Sequence, residues 1–460
     1  MEQLYNSTIA AISTAMSNSG IGIVRMSGPE AFQIADRVYK GKKEKKLYDQ
    51  KSHTIHYGYI VDGEQVIDEV LVMLMRGPHS YTGEDTVEIN CHGGVYVVKR
   101  ILELLIKNGA RPAEPGEYTK RAFLNGRLDL SQAEAVGDLI ASQNEYALQS
   151  SVSQLKGNIK DKISEMREKI LYHTAFIETA LDDPEHISVD GYGETLKKVV
   201  DEIMEAMKRL LDSCDDGRII KEGVRTVILG KPNAGKSSLL NVLLGEDRAI
   251  VTDIAGTTRD VLEEHLNLKG ISLNIMDTAG IRDTEDVVEK IGVDRAKEYA
   301  DKADLILYVI DASRPLDEND AEILHLIKGK RAIILLNKSD LDMQVTKEQE
   351  ELPEEFPVIE ISAKNVQGIE ELEDTLKEMF FQGELTFNDE IYITNVRQKT
   401  ALQDAYAALE RVNDSIAADM PEDFYSIDLM DAYEALGNIT GETIGEDLVN
   451  EIFSKFCMGK

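Results

Sequence analysis

The stretch "GKPNAGKSS", Gly230 to Ser238, constrains this chain more than any other. It fits G-x-x-x-x-G-K-[ST], follows the apolar run "VRTVIL" and precedes the helical run "SLLNVLLG". That strand–loop–helix order is the context in which such a loop cradles phosphate. Gly230 and Gly235 let the backbone curl so that its N–H groups face phosphate oxygens. Asn233, Ala234, Gly235, Lys236, Ser237 and Ser238 are the nucleotide-contacting residues of the loop. Lys236 supplies charge at the β- and γ-phosphates, and the Ser237 hydroxyl is the expected Mg²⁺ ligand.

Three further motifs follow in order. "DTAG" (Asp277, Thr278, Ala279, Gly280) closes an apolar run, with Asp277 facing the metal and the Gly280 N–H the γ-phosphate. "NKSD" (Asn337, Lys338, Asp340) closes another. The Asp340 carboxylate can accept two hydrogen bonds from guanine N1–H and its 2-amino group, a pair that adenine lacks. "SAK" (Ser362, Ala363, Lys364) supports the base through the backbone. The nucleotide is therefore GTP.

The surrounding texture gives the expected architecture: multidomain α/β and α. Residues 1–120 alternate strand-like runs ("GIGIVRMSG", "EVLVMLM", "TVEINCHGG") with a helical stretch, "GGVYVVKRILELLIKNG", and read as an α+β domain. Residues 121–221 are helical; Leu196, Val199, Val200, Ile203, Met207, Leu210 and Leu211 recur at helix spacing. From 222 to 382, strands alternate with helices as in a Ras-like, doubly wound parallel sheet. Residues 383–460 are helical again, so the nucleotide domain is an insert within a helical domain of two halves.

Composition narrows the function. The 460 residues carry a net charge of −33. Residues 1–120 hold 14 Lys and Arg against 15 Asp and Glu, which leaves −32 for residues 121–460. Such a surface repels nucleic acid, so any contact with one is local or shared with a more basic partner. The short basic run Lys42, Lys43, Lys45 and Lys46 reads as a solvated loop. Cys91, Cys214 and Cys457 lie far apart, which fits neither a disulfide framework nor a zinc site. No run of about 18 apolar residues is present and the N-terminus lacks a basic leader, so a cytoplasmic, membrane-free location is expected. The ending Cys457-Met458-Gly459-Lys460 is a poor prenylation box, because Gly459 is not aliphatic.

The assembled pattern resembles the MnmE/TrmE family of tRNA-modification GTPases, a TrmE-Era-EngA-like (HAS-GTPase) P-loop family. The likeness spans the chain, through "GKPNAGKSSLLNVLLGEDRAIVTDIAGTTRD", "DTAGIRDTEDVVEKIG", "PGEYTKRAFLNGRLDLSQAEAVGDLI" and "ITGETIGEDLVNEIFSKFCMGK". The last two have no general GTPase meaning and separate this family from others. Ras-like enzymes place a water-orienting Gln after DxxG; here that residue is Ile281. Alone, Glu289 reads as a solvated helix charge; the resemblance makes it the catalytic Glu that polarises water. The resemblance also implies a K⁺ ion in place of an arginine finger, held by Asn233, Thr252, Ile254 and Thr257. The switch stretch Thr252, Asp253, Ile254, Ala255, Gly256, Thr257 and Thr258 would contact the nucleotide, with Thr258 completing the Mg²⁺ shell.

For the N-terminal domain the resemblance implies dimerisation and binding of a tetrahydrofolate, (6S)-5-formyl- or 5,10-methylene-. The matching contacts are Arg25, Glu88, Arg127 and Lys460. A carboxylate suits the amino-pyrimidine edge of a pterin, and cations suit the glutamate tail. Singly, the arginines read as surface charges and Glu88 as a strand-end carboxylate. Cys457 would be a thiol with a role in the modification step; without the resemblance it is a small buried hydrophobe. The implied assembly is a homodimer joined to the flavoprotein MnmG (GidA) in a heterotetramer or larger complex. That partner would carry FAD and hold most of the tRNA. Together they would form the 5-carboxymethylaminomethyl (or aminomethyl) group at C5 of the wobble uridine, position 34. The alternative is a switch GTPase of ribosome assembly without modification chemistry. Proteins of that kind usually carry a basic RNA-binding appendage, which this chain lacks.

Overall fold

A computed structural model of the protein describes residues 7–42, 45–187, 191–245, 264–268, 270–276, 292–349, 351–381, 393–443, 445–456 and 459. The chain divides into two compact units. One comprises residues 1–140, 152–204 and 400–460, the other 141–151 and 205–399.

The first unit is built on a seven-stranded sheet. Its strands are β1 (Ile9–Ile12), β2 (Ser19–Ser27), β3 (Tyr39–Gly41), β4 (Thr54–Asp62), β5 (Gln65–Met75), β6 (Thr86–Gly93) and β7 (Arg111–Pro112), in the order β3-β4-β5-β6-β2-β1-β7. All pairs are antiparallel except β1 with β7. Strand alternation sorts the side chains: Val70, Val72 and Leu74 of β5 are buried while Leu71 between them is 46% exposed. The inward residues, with Val24, Met26, Val87 and Ile89, pack against the helices Ala31–Val38 and Val95–Lys107. The same alternation turns Arg25 and Glu88 to the other face, where the register sets them directly opposite each other.

Helices complete this unit. Asn158–Asp182 packs along Glu422–Thr440, with the buried Arg167 guanidinium 4.0 Å from the Tyr433 ring centroid and paired to Glu442. The terminal helix Glu446–Ser454 sets Val449 and Phe453 against Leu130 and Ala133. Gly116 makes room for it: at φ +65°, a Cβ there would lie 2.6 Å from the Phe453 carbonyl oxygen. A segment of the far C-terminus is thereby fastened beside the helix Glu117–Leu124.

The second unit has six strands: β8 (Val224–Leu229), β9 (Glu264–Leu268), β10 (Ile271–Ile275), β11 (Leu305–Asp311), β12 (Ala332–Asn337) and β13 (Val358–Glu360). Their order is β13-β12-β11-β8-β10-β9, parallel except for the antiparallel edge β9–β10. Strand β11 is buried on both faces, as a central parallel strand must be. Leu305, Leu307 and Val309 face the core shared with the helices Lys236–Leu243 and Ile369–Phe381, while Ile306, Tyr308 and Ile310 face the opposite layer. This unit also holds residues 141–151 and 205–221, which precede β8. The cause is packing: Ile219 and Ile220 are in the sheet's core, and the Asn144 amide donates to Ser272 Oγ at 2.9 Å.

Candidate functional site

The loop after β8 has the conformation its glycines permit. Gly230 and Gly235 have φ of +151° and +100°, and Asn233 between them takes +61°. The loop ends on the helix Lys236–Leu243, whose first N–H groups lack intrahelical partners and form an anion-binding terminus. A Cβ on Gly235 would lie 2.0 Å from Asn337 Nδ2, so only glycine fits. Lys236 Nζ donates to the carbonyls of Gly230 (2.7 Å) and Lys231 (2.9 Å), a fold-back that an incoming phosphate can replace. Burial pushes its pKa down, which favours a ligand that brings negative charge to it.

The end of β12 reaches the same loop. Asn337 Nδ2 donates to the Ala234 carbonyl at 2.8 Å, and Asn337 Oδ1 accepts from the Ala363 N–H at 3.1 Å. One buried side chain therefore ties the phosphate loop, the NKSD turn and the SAK turn together. Lys338, at φ +67°, sends Nζ to Asp311 Oδ2 at 2.6 Å. Ser362 Oγ donates to Asp340 Oδ1 at 2.7 Å, and that bond holds the Asp340 pKa below the usual carboxylate range. Asp340 stays exposed, as does Lys364. Of the expected nucleotide residues, Asn233, Ala234, Gly235, Lys236, Ser237, Ser238, Asn337, Lys338, Asp340, Ser362, Ala363 and Lys364 lie in these three adjoining turns. Ser237, the expected Mg²⁺ ligand, opens the helix. This donor set and the glycine-only cradle fit a nucleotide polyphosphate with Mg²⁺.

Thr252, Asp253, Ile254, Ala255, Gly256, Thr257, Thr258, Asp277, Thr278, Ala279, Gly280, Glu289, Cys457 and Lys460 lie outside the described residues.

A second set of residues gathers in the first unit. Arg25 Nε donates to Glu88 Oε1 at 2.7 Å, with both side chains mostly buried. Gly459 adjoins them: its carbonyl accepts from Ser13 Oγ at 3.2 Å and from Arg25 at 3.5 Å. Gly459 is buried at φ +91°, and a Cβ there would lie 2.3 Å from the Ile12 carbonyl oxygen. Arg127 is exposed, with its guanidinium carbon 5.4 Å from the Tyr81 ring centroid. Behind Tyr81, Arg121 is 3% exposed and bonds Glu84 and Glu117. Three of the four expected folate contacts, Arg25, Glu88 and Arg127, thus share one unit with the end of the tail. Sequence reasoning missed Ser13 and Tyr81 of this set and Asp311 of the nucleotide set, each of which meets its partners through contacts distant in sequence.

Residues 8–127 match the model described as "GTP-binding protein TrmE N-terminus", and residues 130–457 match "MnmE helical domain". Three relatives are each named tRNA modification GTPase MnmE. That of Lachnoclostridium phytofermentans is 58% identical, that of Acetivibrio thermocellus 52% and that of Clostridioides difficile 50%; each comparison covers 98% of this chain and 99% of the relative. Among solved structures, Era from Aquifex aeolicus is 32% identical with a TM-score of 0.27, over 40% of this chain and 66% of that one. On its full-length relatives and both family models, the chain belongs to the MnmE family of tRNA modification GTPases.

Proposed function

We propose that this chain is a GTP hydrolase that works with a flavoprotein, MnmG (GidA), to build the 5-carboxymethylaminomethyl or aminomethyl group at C5 of the tRNA wobble uridine. In this reading residues 222–382 are the GTPase domain, 1–120 the folate and dimerisation domain, and 121–221 with 383–460 the helical host. The observation that carries it is the turn around Asp340, whose exposed carboxylate suits a guanine edge and which is fastened to the phosphate loop through Asn337, in a chain of this family. A ribosome-assembly switch would share that turn but has no use for the Arg25–Glu88 pair at the C-terminal tail.

Each group has a defined task in this scheme. The loop amides and Lys236 would hold the β- and γ-phosphates, and Ser237 with Thr258 would hold Mg²⁺. Asn233, Thr252, Ile254 and Thr257 would hold K⁺, which when bound would neutralise charge developing on the phosphates. Glu289 orients the attacking water and accepts its proton. In the first unit Glu88 accepts hydrogen bonds from the pterin edge, Arg127 and Lys460 face the glutamate tail, and Cys457 serves the modification step. Folate supplies the one-carbon unit, the partner carries FAD and most of the tRNA contact, and the chain itself is a cytoplasmic homodimer.

Two measurements test this together. GTP turnover is expected to be faster in KCl than in NaCl at equal ionic strength, and to collapse by about 10²-fold or more in Glu289→Ala. Equal turnover in both salts removes the K⁺ assignment, and full activity of the variant removes Glu289. Equilibrium dialysis with 5-formyltetrahydrofolate, with and without the last four residues, is expected to show binding only by the full chain. No binding by either form would favour the ribosome-assembly reading.

A further inference from the structure

We infer that Tyr81 is a positioning residue of the folate site, whose ring is the shared platform that sets Arg25 and Arg127. The inference rests on the folate reading above. The guanidinium carbons of Arg25 and Arg127 lie 5.7 and 5.4 Å from the Tyr81 ring centroid. Both are inside the range in which an aromatic face attracts a cation. One ring thus offsets part of the repulsion between two cations drawn to the same place.

The platform is fixed from behind. Tyr81 Oη lies 2.9 Å from Thr119 Oγ1, and the Asn125 amide donates to the Thr82 carbonyl at 2.7 Å. The buried Arg121 grips Glu84 from one side, and Ser27 Oγ donates to Glu84 from the other at 2.7 Å. The loop that carries Tyr81 is therefore bound to the helix Glu117–Leu124, and the turn that follows this helix carries Arg127. Arg25 is held on a second ring, that of Tyr118, at 5.6 Å, while Tyr118 Oη donates to the Arg25 carbonyl at 2.7 Å.

The two arginines then have different tasks. Arg25 is already engaged by Glu88, so it orients the carboxylate that reads the pterin. Arg127 is exposed and makes the ligand-facing cation, with Tyr81 limiting where its long side chain can go. Such pre-ordering spares the rotamer entropy that binding would otherwise cost.

The test is a double-mutant cycle on the full chain, with (6S)-5-formyltetrahydrofolate as the titrated probe. Tyr81→Phe keeps the ring and is expected to bind within about twofold of wild type. Tyr81→Leu removes the π face and is expected to weaken binding about five- to tenfold. On an Arg127→Ala background, Tyr81→Leu is expected to cost clearly less, because one of the two groups the ring positions is gone. Equal losses from Tyr81→Leu in both backgrounds overturn the inference, since mere structural support would weaken both alike. A Tyr81→Phe variant as weak as Tyr81→Leu also overturns it. A wild-type chain that binds no folate overturns the folate reading itself and this inference with it.

Discussion

Asp304 is one of the carboxylates that make the second unit's stability depend on pH. Arg218 and Arg225 both hydrogen-bond it, at 2.9 to 3.2 Å, and its side chain is 12% exposed. Burial alone would raise its pKa; the bonds from Arg225 and Arg218 outweigh burial and hold it at about 2. A depressed carboxyl contributes stability above its unfolded pKa and loses it as pH falls through the folded value. The contribution, about 2 kcal/mol, is therefore present at pH 7 and is expected to disappear between pH 4 and 2. Urea titrations should find Asp304→Asn destabilised at pH 7 and level with wild type near pH 2. A gap unchanged by pH would contradict the assignment. At the proposed base site, Ser362→Ala should weaken GTP binding about tenfold or more, the worth of one hydrogen bond to a charged partner. Measured affinity for the nucleotide decides it.

At the level of elements, local signals read well and non-local ones did not. The apolar spacing from Leu196 to Leu211 marks the helix Tyr192–Asp212, whose Leu196, Val200, Ile203, Met207 and Leu210 are buried. "RAIILLN" contains β12, an apolar run because the strand is buried on both faces, and "VRTVIL" is β8, apolar except at the exposed Arg225 and at Thr226. The strands β4 and β9 carry polar residues on one side and gave no comparable run. The three turns that carry the expected nucleotide residues were legible as motifs because each is contiguous. Tyr81 was not, because its partners Arg25 and Arg127 are distant in sequence, one on a strand and the other in the turn after the helix Glu117–Leu124. Single glycines hold two of these elements in place. Gly235→Ala must push against Asn337, which also bonds Ala234 and Ala363, so GTP affinity should fall more than about tenfold. Gly459→Ala must leave φ +91° and move off the Ile12 carbonyl, which unseats the tail beside Arg25. Dialysis with 5-formyltetrahydrofolate should show weakened binding; affinity equal to wild type would separate the tail from that site.

The chain carries a net charge of −33 over two compact units, one proposed to bind the nucleotide and the other a folate. Among the described residues no helix is long and apolar enough to cross a membrane. Phosphate-backbone binding depends on cationic surface and weakens steeply with salt. The chain alone should therefore hold tRNA weakly at 150 mM salt and gain affinity when the flavoprotein is added. Tight binding by the chain alone would contradict the division of labour proposed above. In the proposed function, nucleotide turnover and tRNA modification belong to one machine. Mass spectrometry of nucleosides from undermodified tRNA tests it most directly, after incubation with this chain, the flavoprotein, GTP, K⁺, reduced folate and glycine or ammonium. The modified wobble uridine should form with the wild-type chain and be absent with Lys236→Ala. Equal modification by Lys236→Ala, or none by the complete wild-type mixture, would contradict the claim.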